Sequence, residues 1–527
     1  PTNAAQFARC PFPGACLGRP NLAMIGMFSA GAIDLANLQT GNETCDTAYV
    51  PGSLLCGQCA KGYSAVGLTG QCKACPASAE NNKAIAITGG AIGVLLAIVY
   101  VRLALSDAGS LDDADGIKAI GLSFIQLIYL LSTFPVAWPP VFITVFRVGG
   151  AICVLGQHLV NLKCLVPELS DADVFFSLKI FWGIVPVAIL VMCPLVWILI
   201  TRSCGRCIRR CEVVHPLRNT AVSCVSLLVL VWPTLCTETF SMFACTRLCN
   251  DNAVYLRADM SETCWQGRHL NFVLTVGAPM ATLYVFGLPL AALLRVSKIH
   301  SKGMRSKVRK ILRQTKSLPM MKENVFEARL RLDFDRCVYG MFYSNYHDSV
   351  WWWESTVAVR KVGIALIGVF GAEWKHMQAH VTAMVVVVVL LITAQVRPYR
   401  GKSRECLLHR LEMLSLMVTF LCLWAATVFS LHPRCENPDP GAGAGRTLLW
   451  CDVLSVGVGV VVMVLVVAIV VAFVHAKVVA KSANNNRRAT VELYRPESGW
   501  WEKAARMMSS KADHADHVIN PMCIPRP

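Results

Sequence analysis

Charge is scarce in this chain. Only 16% of its 527 residues are Asp, Glu, Lys or Arg, against about 25% in an average soluble domain. With 55% hydrophobic residues and a mean hydropathy of +0.50, that scarcity excludes a water-soluble globular protein. Enzyme signatures are also missing. No G-x-S-x-G, H-E-x-x-H, P-loop or dinucleotide G-x-G-x-x-G occurs, so the chain reads as a non-enzyme without cofactor or metal. No segment carries Arg at every third position, which excludes an arginine-rich voltage sensor. A TVGYG-type filter and ankyrin-type repeats are absent as well. Pro1 is preceded by no Met and followed by no signal peptide, so the chain reads as a mature product or a piece of a longer one.

What is present is apolar sequence in blocks of twenty or more residues, the length needed to cross a bilayer core of about 30 Å. Nine spans are read at 84–105, 117–137, 172–200, 217–243, 269–294, 351–371, 376–396, 408–431 and 452–476. A tenth apolar stretch, 140–160, is interrupted by Arg147, Gly149 and Gly150 and reads as re-entrant or interfacial. The predicted fold class is an all-α polytopic membrane protein of about nine transmembrane helices with a small disulfide-rich extracellular domain. Its parts are a cysteine-rich extracellular or lumenal module at 1–82, a membrane domain at 83–476 with a basic cytosolic loop at 295–350, and a cytosolic tail at 477–527.

The net charge of +17 follows the loops. With the N-terminus outside, the inner loops are 106–116, 201–216, 295–350, 397–407 and the tail, and all but the first are rich in Lys or Arg. The outer loops 138–171, 244–268, 372–375 and 432–451 are poor in both. The positive-inside rule accounts for this bias without nucleic acid, and it puts the C-terminus in the cytosol. Between Arg295 and Lys322 there are ten bases and no acid. That run, including Lys302, Arg305, Lys307, Arg309, Lys310 and Arg313, suits anionic lipid on the cytosolic face.

Cysteines divide the same way. Disulfide candidates are Cys10, Cys16, Cys45, Cys56, Cys59, Cys72 and Cys75 in the module, Cys245, Cys249 and Cys264 in one outer loop, and Cys435 and Cys451 in another. Two C-x-x-C pairs, Cys56/Cys59 and Cys72/Cys75, have the look of a zinc ribbon. The outward topology and the Asn42 N-x-Thr sequon, a glycosylation candidate, favour disulfides instead. "CGRCIRRC", with Cys204, Cys207 and Cys211, sits just inside the third span and reads as palmitoylation sites or free thiols. Gly89 and Gly93 form G-x-x-x-G in the first span, for a close helix contact within or between chains.

One stretch concentrates unusual chemistry. "WWWESTVAVRK" puts Trp351, Trp352 and Trp353 at the mouth of the sixth span as interface anchors, then Glu354, Arg360 and Lys361 within it. A charge in lipid costs roughly 2.5–3.5 kcal/mol, so these bases need partners. The expectation is that Arg360 or Lys361 pairs with Glu412 or Glu354, as a static clamp, a gate or a lipid site. Glu238, near the outer end of the fourth span, either lines a cation vestibule or rests in interfacial water. Gln126, Gln378 and Gln395 are expected to make inter-helix hydrogen bonds.

Two resemblances follow from these stretches. "CDTAYVPGSLLCGQCAKGYSAVGLTGQCKAC" resembles the ephrin-receptor-like cysteine-rich module of algal and protist membrane proteins. "YLRADMSETC", "YGMFYSNYHDSVWWWE", "RK", "VRPYRGK" and "HRLEMLSL" resemble the transient-receptor-potential-like (TRP-like) membrane region shared with fungal flavin-carrier-like proteins. "EWK" at Glu373–Lys375 is similar to the start of a TRP box but falls in an outer turn. The resemblance covers most of 40–475. It implies a cation channel or channel-like subunit, assembled as a homo- or hetero-oligomer in the plasma or ciliary membrane. The alternatives are a non-conducting anchor or receptor that binds an extracellular protein through 1–82, and a small-molecule carrier.

Overall fold

The computed structural model describes residues 79–107, 113–132, 170–203, 216–247, 254–301, 334–374, 376–400, 404–431 and 449–493, most of 45–75, and a few isolated positions between them. The chain forms two compact units, Pro1–Phe473 and Val474–Pro527. Nine long helices occur among the described residues: α1 (Ala79–Asp107), α2 (Asp113–Leu131), α3 (Asp171–Ser203), α4 (Pro216–Ser241), α5 (Gly267–His300), α6 (Trp353–Phe370), α7 (His376–Val396), α8 (Arg404–Leu431) and α9 (Leu449–Leu493).

Eight of the nine are long and apolar enough to cross a membrane. The exception is α6, the predicted span 351–371, which is 18 residues long and holds Glu354, Arg360 and Lys361. It remains inside the bundle because its charges are buried against neighbouring helices rather than turned outward. Helices α2, α4 and α8 have 72%, 67% and 61% of their apolar windows buried, whereas α1, α3, α5, α7 and α9 have between 11% and 28%. α6 packs against α4, α2 and α7, and the five less buried helices present most of the exposed apolar surface. The exposed side chains there are large and apolar, as at Ile184, Leu199, Leu283 and Met384.

Close approach is achieved where side chains are small. A Cβ on Gly116 would lie 2.9 Å from Leu408 of α8, and one on Gly121 would lie 2.9 Å from Ile469 of α9. Gly89 and Gly93 of α1 are buried within the chain. Prolines then break the regularity. Pro233 removes the N–H that would bond the Val229 carbonyl in α4. In α5, two π-helical turns, Val273–Gly277 and Ala281–Gly287, precede Pro289. The Tyr284 carbonyl in the second of them accepts a bond from Trp232 Nε1 of α4 (3.1 Å), and the Tyr284 hydroxyl returns one to the Gly183 carbonyl of α3 (2.9 Å).

One end of the bundle carries two small sheets. Strands β1 (Tyr63–Val66) and β2 (Gln71–Ala74) form an antiparallel hairpin in the N-terminal module. Strands β3 (Cys245–Arg247), β4 (Val254–Leu256) and β5 (Asp259–Thr263) form a second antiparallel sheet between α4 and α5. Disulfides Cys45–Cys56, Cys59–Cys72, Cys75–Cys164 and Cys245–Cys264 brace this end. The two C-x-x-C pairs are thus joined as thiol partners of other cysteines, not as zinc ligands. Cys164, absent from the predicted set, ties the module to the segment before α3. Cys451 is also disulfide-bonded. Cys10, Cys16, Cys249, Cys435, Asn42, the basic positions 302–313, Cys204, Cys207, Cys211 and the tail beyond 493 lie outside the described residues. Within 140–160 only Phe142 and Phe146 are described.

Candidate functional site

The bundle interior holds a polar cluster at the end opposite the module. Arg360 and Lys361 are neighbours on α6, so their side chains diverge by about 100°. Arg360 turns to α8 and α2. It donates from one terminal nitrogen to Glu412 Oε1 (2.9 Å) and from the other to Ser123 Oγ (3.0 Å). Both members of the Arg360–Glu412 pair are almost fully buried. Lys361 donates to Gln126 Oε1 at 2.7 Å. Ser123 and Gln126 are three apart on α2 and so share a face, which lets one helix receive both cations.

Gln126 does a second job. Its amide nitrogen donates to the Val229 carbonyl (3.1 Å) and the Leu230 carbonyl (3.3 Å) of α4. Val229 is the carbonyl that Pro233 leaves without an N–H one turn later. A buried unpaired carbonyl costs about 1–3 kcal/mol, and the Gln126 amide removes that penalty. One glutamine therefore joins a buried lysine to a proline-broken helix.

The cluster continues toward the bundle end. The Tyr399 hydroxyl donates to Glu412 Oε2 (3.4 Å), and the Tyr346 hydroxyl donates to Glu354 Oε2 (2.7 Å). The two tyrosines face each other across an isolated antiparallel bridge, with ring centroids 5.5 Å apart. Backbone bonds from His347 to the Pro398 carbonyl and from Arg400 to the Asn345 carbonyl (each 2.9 Å) fasten the segment before α6 to the α7–α8 connection. An Arg400–Asp348 ion pair closes its edge. Burial raises the hydroxyl pKa of both tyrosines well above the usual value, and the nearby carboxylates, Glu354 for Tyr346 and Glu412 for Tyr399, push further in the same direction.

Several expected residues take other roles. Trp353 is buried in the bundle, so it is not an interface ring; successive helical positions point different ways, and only Trp352 is exposed. Trp351 stacks on His300 of α5, with centroids 5.4 Å apart. Glu238 has a partner within the bundle. Its carboxylate is ion-paired with Lys179 of α3, whose ammonium lies 4.5 Å from the Phe175 ring. Lys179 was missed, although a lone lysine in the apolar run "FFSLKIFWG" was a signal that Glu238 had a partner. Gln378 donates to the Ile367 (2.8 Å) and Gly368 (3.0 Å) carbonyls and caps the C-terminus of α6. Gln395 is exposed.

At the module end, Cys59 N–H bonds Asp171 Oδ2 of α3 (3.3 Å) and Gln58 bonds Asp259 Oδ1 of β5 (3.4 Å). Arg257, two residues before Asp259, donates to the Val369 carbonyl at the end of α6 (3.3 Å). The donor atoms of Cys245, Cys264 and His269 fall within 4.8 Å of one another. Both sulfurs are joined in a disulfide, and His269 is held by the Trp265 N–H and the Met242 carbonyl, each at 3.1 Å. That arrangement is a brace rather than a metal centre.

Segments far apart in the chain supply Tyr346, Glu354, Arg360, Lys361, Tyr399 and Glu412 to one cluster. No protein-family model, curated protein or solved structure matches the chain.

Proposed function

We propose that the chain is a non-conducting membrane receptor or anchor, with its N-terminal module outside the plasma or ciliary membrane and its C-terminus in the cytosol. The observation that carries this reading is the internal pairing of the buried charges. Arg360 pairs with Glu412, Lys361 with Gln126 and Lys179 with Glu238, while the large exposed side chains on the outer helices are apolar. A continuous ion path needs polar groups turned toward water, and these are turned toward each other. The module is fixed to this bundle by Cys75–Cys164 and by its contacts with Asp171 and Asp259. From that contact, Arg257 reaches the end of α6, and α6 reaches the buried cluster. A partner bound to residues 1–82 would therefore be in contact, through these bonds, with the membrane domain.

A second reading, a TRP-like cation-channel subunit in a homo- or hetero-oligomer, is favoured by the convergence of the resemblance-bearing segments on the Arg360–Glu412 cluster. Rubidium and calcium flux into proteoliposomes containing the full chain separates the two. The receptor reading expects flux equal to that of protein-free liposomes. Flux that Glu412→Gln alters would sink it and install the channel reading.

A further inference from the structure

We propose that the Cys245–Cys264 disulfide is a redox-active bridge, opened by a dithiol reductant that attacks the Cys245 sulfur while His269 donates a hydrogen bond to the departing Cys264 thiolate. The two sulfurs are unequally placed. Cys245 opens β3, an edge strand of the three-stranded sheet, and is partly exposed. Cys264 follows β5 and is only 3% exposed. A reductant from solvent therefore meets Cys245, and attack there expels the Cys264 sulfur as an anion into a buried position. A buried anion is costly unless it accepts a hydrogen bond, and His269 supplies one. Its Nδ1 accepts the Trp265 N–H at 3.1 Å, so in the neutral ring the proton is on Nε2. That N–H reaches the Met242 carbonyl at 3.1 Å and lies 3.9 Å from Cys264 Sγ. Nε2 thus offers a proton rather than a lone pair, which suits a sulfur anion and not a metal ion.

Clamping Trp265 to the Met242 carbonyl is the ordinary role of such a histidine. That role does not require a disulfide sulfur 3.9 Å from the same N–H. Trp265, directly after Cys264, has φ +63°, a left-handed conformation that costs a bulky residue energy. The closed bridge keeps that turn in place, and opening it relieves one cost of the closed state. Two other bridges provide a comparison. Cys45–Cys56 and Cys59–Cys72 also join a buried cysteine to a partly exposed one, but no side chain among the described residues hydrogen-bonds their sulfurs. The exchange balances in two steps. A reductant thiolate first forms an S–S bond to Cys245, the Cys245–Cys264 bond breaks, and Cys264 takes a proton from solvent. The reductant's second thiol then closes on its own sulfur and releases Cys245. The dithiol loses two electrons and two protons, and the two cysteines gain them. The sheet so opened carries the Asp259 contact with Gln58 of the module and, at Arg257, the bond to the Val369 carbonyl of α6. This chemistry is independent of whether the chain is a receptor or a channel.

The test treats the full chain in nanodiscs with dithiothreitol under nitrogen. Samples are quenched at intervals with N-ethylmaleimide, and the labelling of each cysteine is followed by peptide mass spectrometry. Cys245 and Cys264 should be labelled about fivefold faster than Cys45, Cys56, Cys59 and Cys72, a factor that part of one hydrogen bond to a charged sulfur supplies. With glutathione, a monothiol that cannot close on itself, the trapped adduct should sit on Cys245. His269→Leu should slow the opening by about fivefold. His269→Gln, which keeps a side-chain N–H near the Nε2 position, should restore most of the rate. A variant that only loosened the fold would speed reduction, so slowing is not a by-product of damage. Equal rates for the three bridges, or an adduct on Cys264, overturn the proposal on the natural chain alone. So does a His269→Leu rate that is unchanged or faster.

Discussion

Lys361 donates a hydrogen bond to the side-chain amide of Gln126. The two lie 235 positions apart in the chain and 2.7 Å apart in space, although Glu354 is within electrostatic reach of the same ammonium. A neutral amide thus anchors a buried cation and at the same time repairs the α4 backbone at Pro233.

Gln126→Leu should be more damaging than Lys361→Met. The first removes an acceptor from the Lys361 ammonium and a donor from the Val229 carbonyl at once, each about 1–3 kcal/mol. The second leaves only an amide oxygen unsatisfied, about 1–3 kcal/mol. Thermal unfolding of both variants in detergent, monitored by circular dichroism, ranks them; the reverse order would refute the bridging role.

The link to Pro233 has its own signature. Pro233→Ala restores an N–H that competes for the Val229 carbonyl. Gln126→Ala should then destabilise the Pro233→Ala background by at least about 1 kcal/mol less than it destabilises the natural chain. Additive effects would mean that Gln126 does not compensate for the proline.

Arg360 and Glu412 should be strongly coupled. Either Arg360→Leu or Glu412→Leu strands one buried charge and is expected to lose about 3–5 kcal/mol. The double replacement should be less harmful than either single one, because no unpaired charge remains. A double-mutant cycle read from unfolding midpoints provides the check.

The disulfides at the module end of the bundle differ in leverage. Cys75–Cys164 closes a separation of 89 residues and Cys245–Cys264 one of 19. Chain-entropy scaling makes the longer loop worth about 1 kcal/mol more. Cys164→Ser should therefore lower the melting temperature more than Cys264→Ser, and should release the module to limited proteolysis.

The tyrosine bridge predicts an alkaline limit. Tyr346 and Tyr399 hold their protons in the folded chain above the ordinary tyrosine value of 10.0. Their contribution is therefore fully present below that value and declines as pH rises through it, because the unfolded chain ionises first. Melting temperatures measured across pH 10.0 should fall less steeply for Tyr346→Phe than for the natural chain; equal slopes would remove the tyrosine from the account.

Much of the architecture was legible in local sequence. Blocks such as "VVMVLVVAIVVAFV" in α9 form helices of membrane length wherever they occur, since backbone groups away from water must bond within their own segment. The unease about Arg360, Lys361 and Glu412 was legible as well, because a charge within an apolar run is anomalous without any coordinates. Cys164 was not singled out, though it lies in a loop read as facing the same side as the module. Trp353 was assigned to the interface with its two neighbours, because adjacent letters conceal a turn of about 100°.

Hydropathy and helix length are properties of a window of residues, and the sequence by itself determined them: a helical, membrane-crossing chain with a cysteine-rich module and basic connections. Partner choice was decided only by tertiary structure. Whether Lys361 meets Glu412 or Gln126, whether Glu238 meets water or Lys179, and whether Gly89 and Gly93 pack within the chain depend on the rotation of each helix and the neighbour set against it. Those are set jointly by close contacts such as Gly116 against Leu408, between segments that no single stretch of sequence contains.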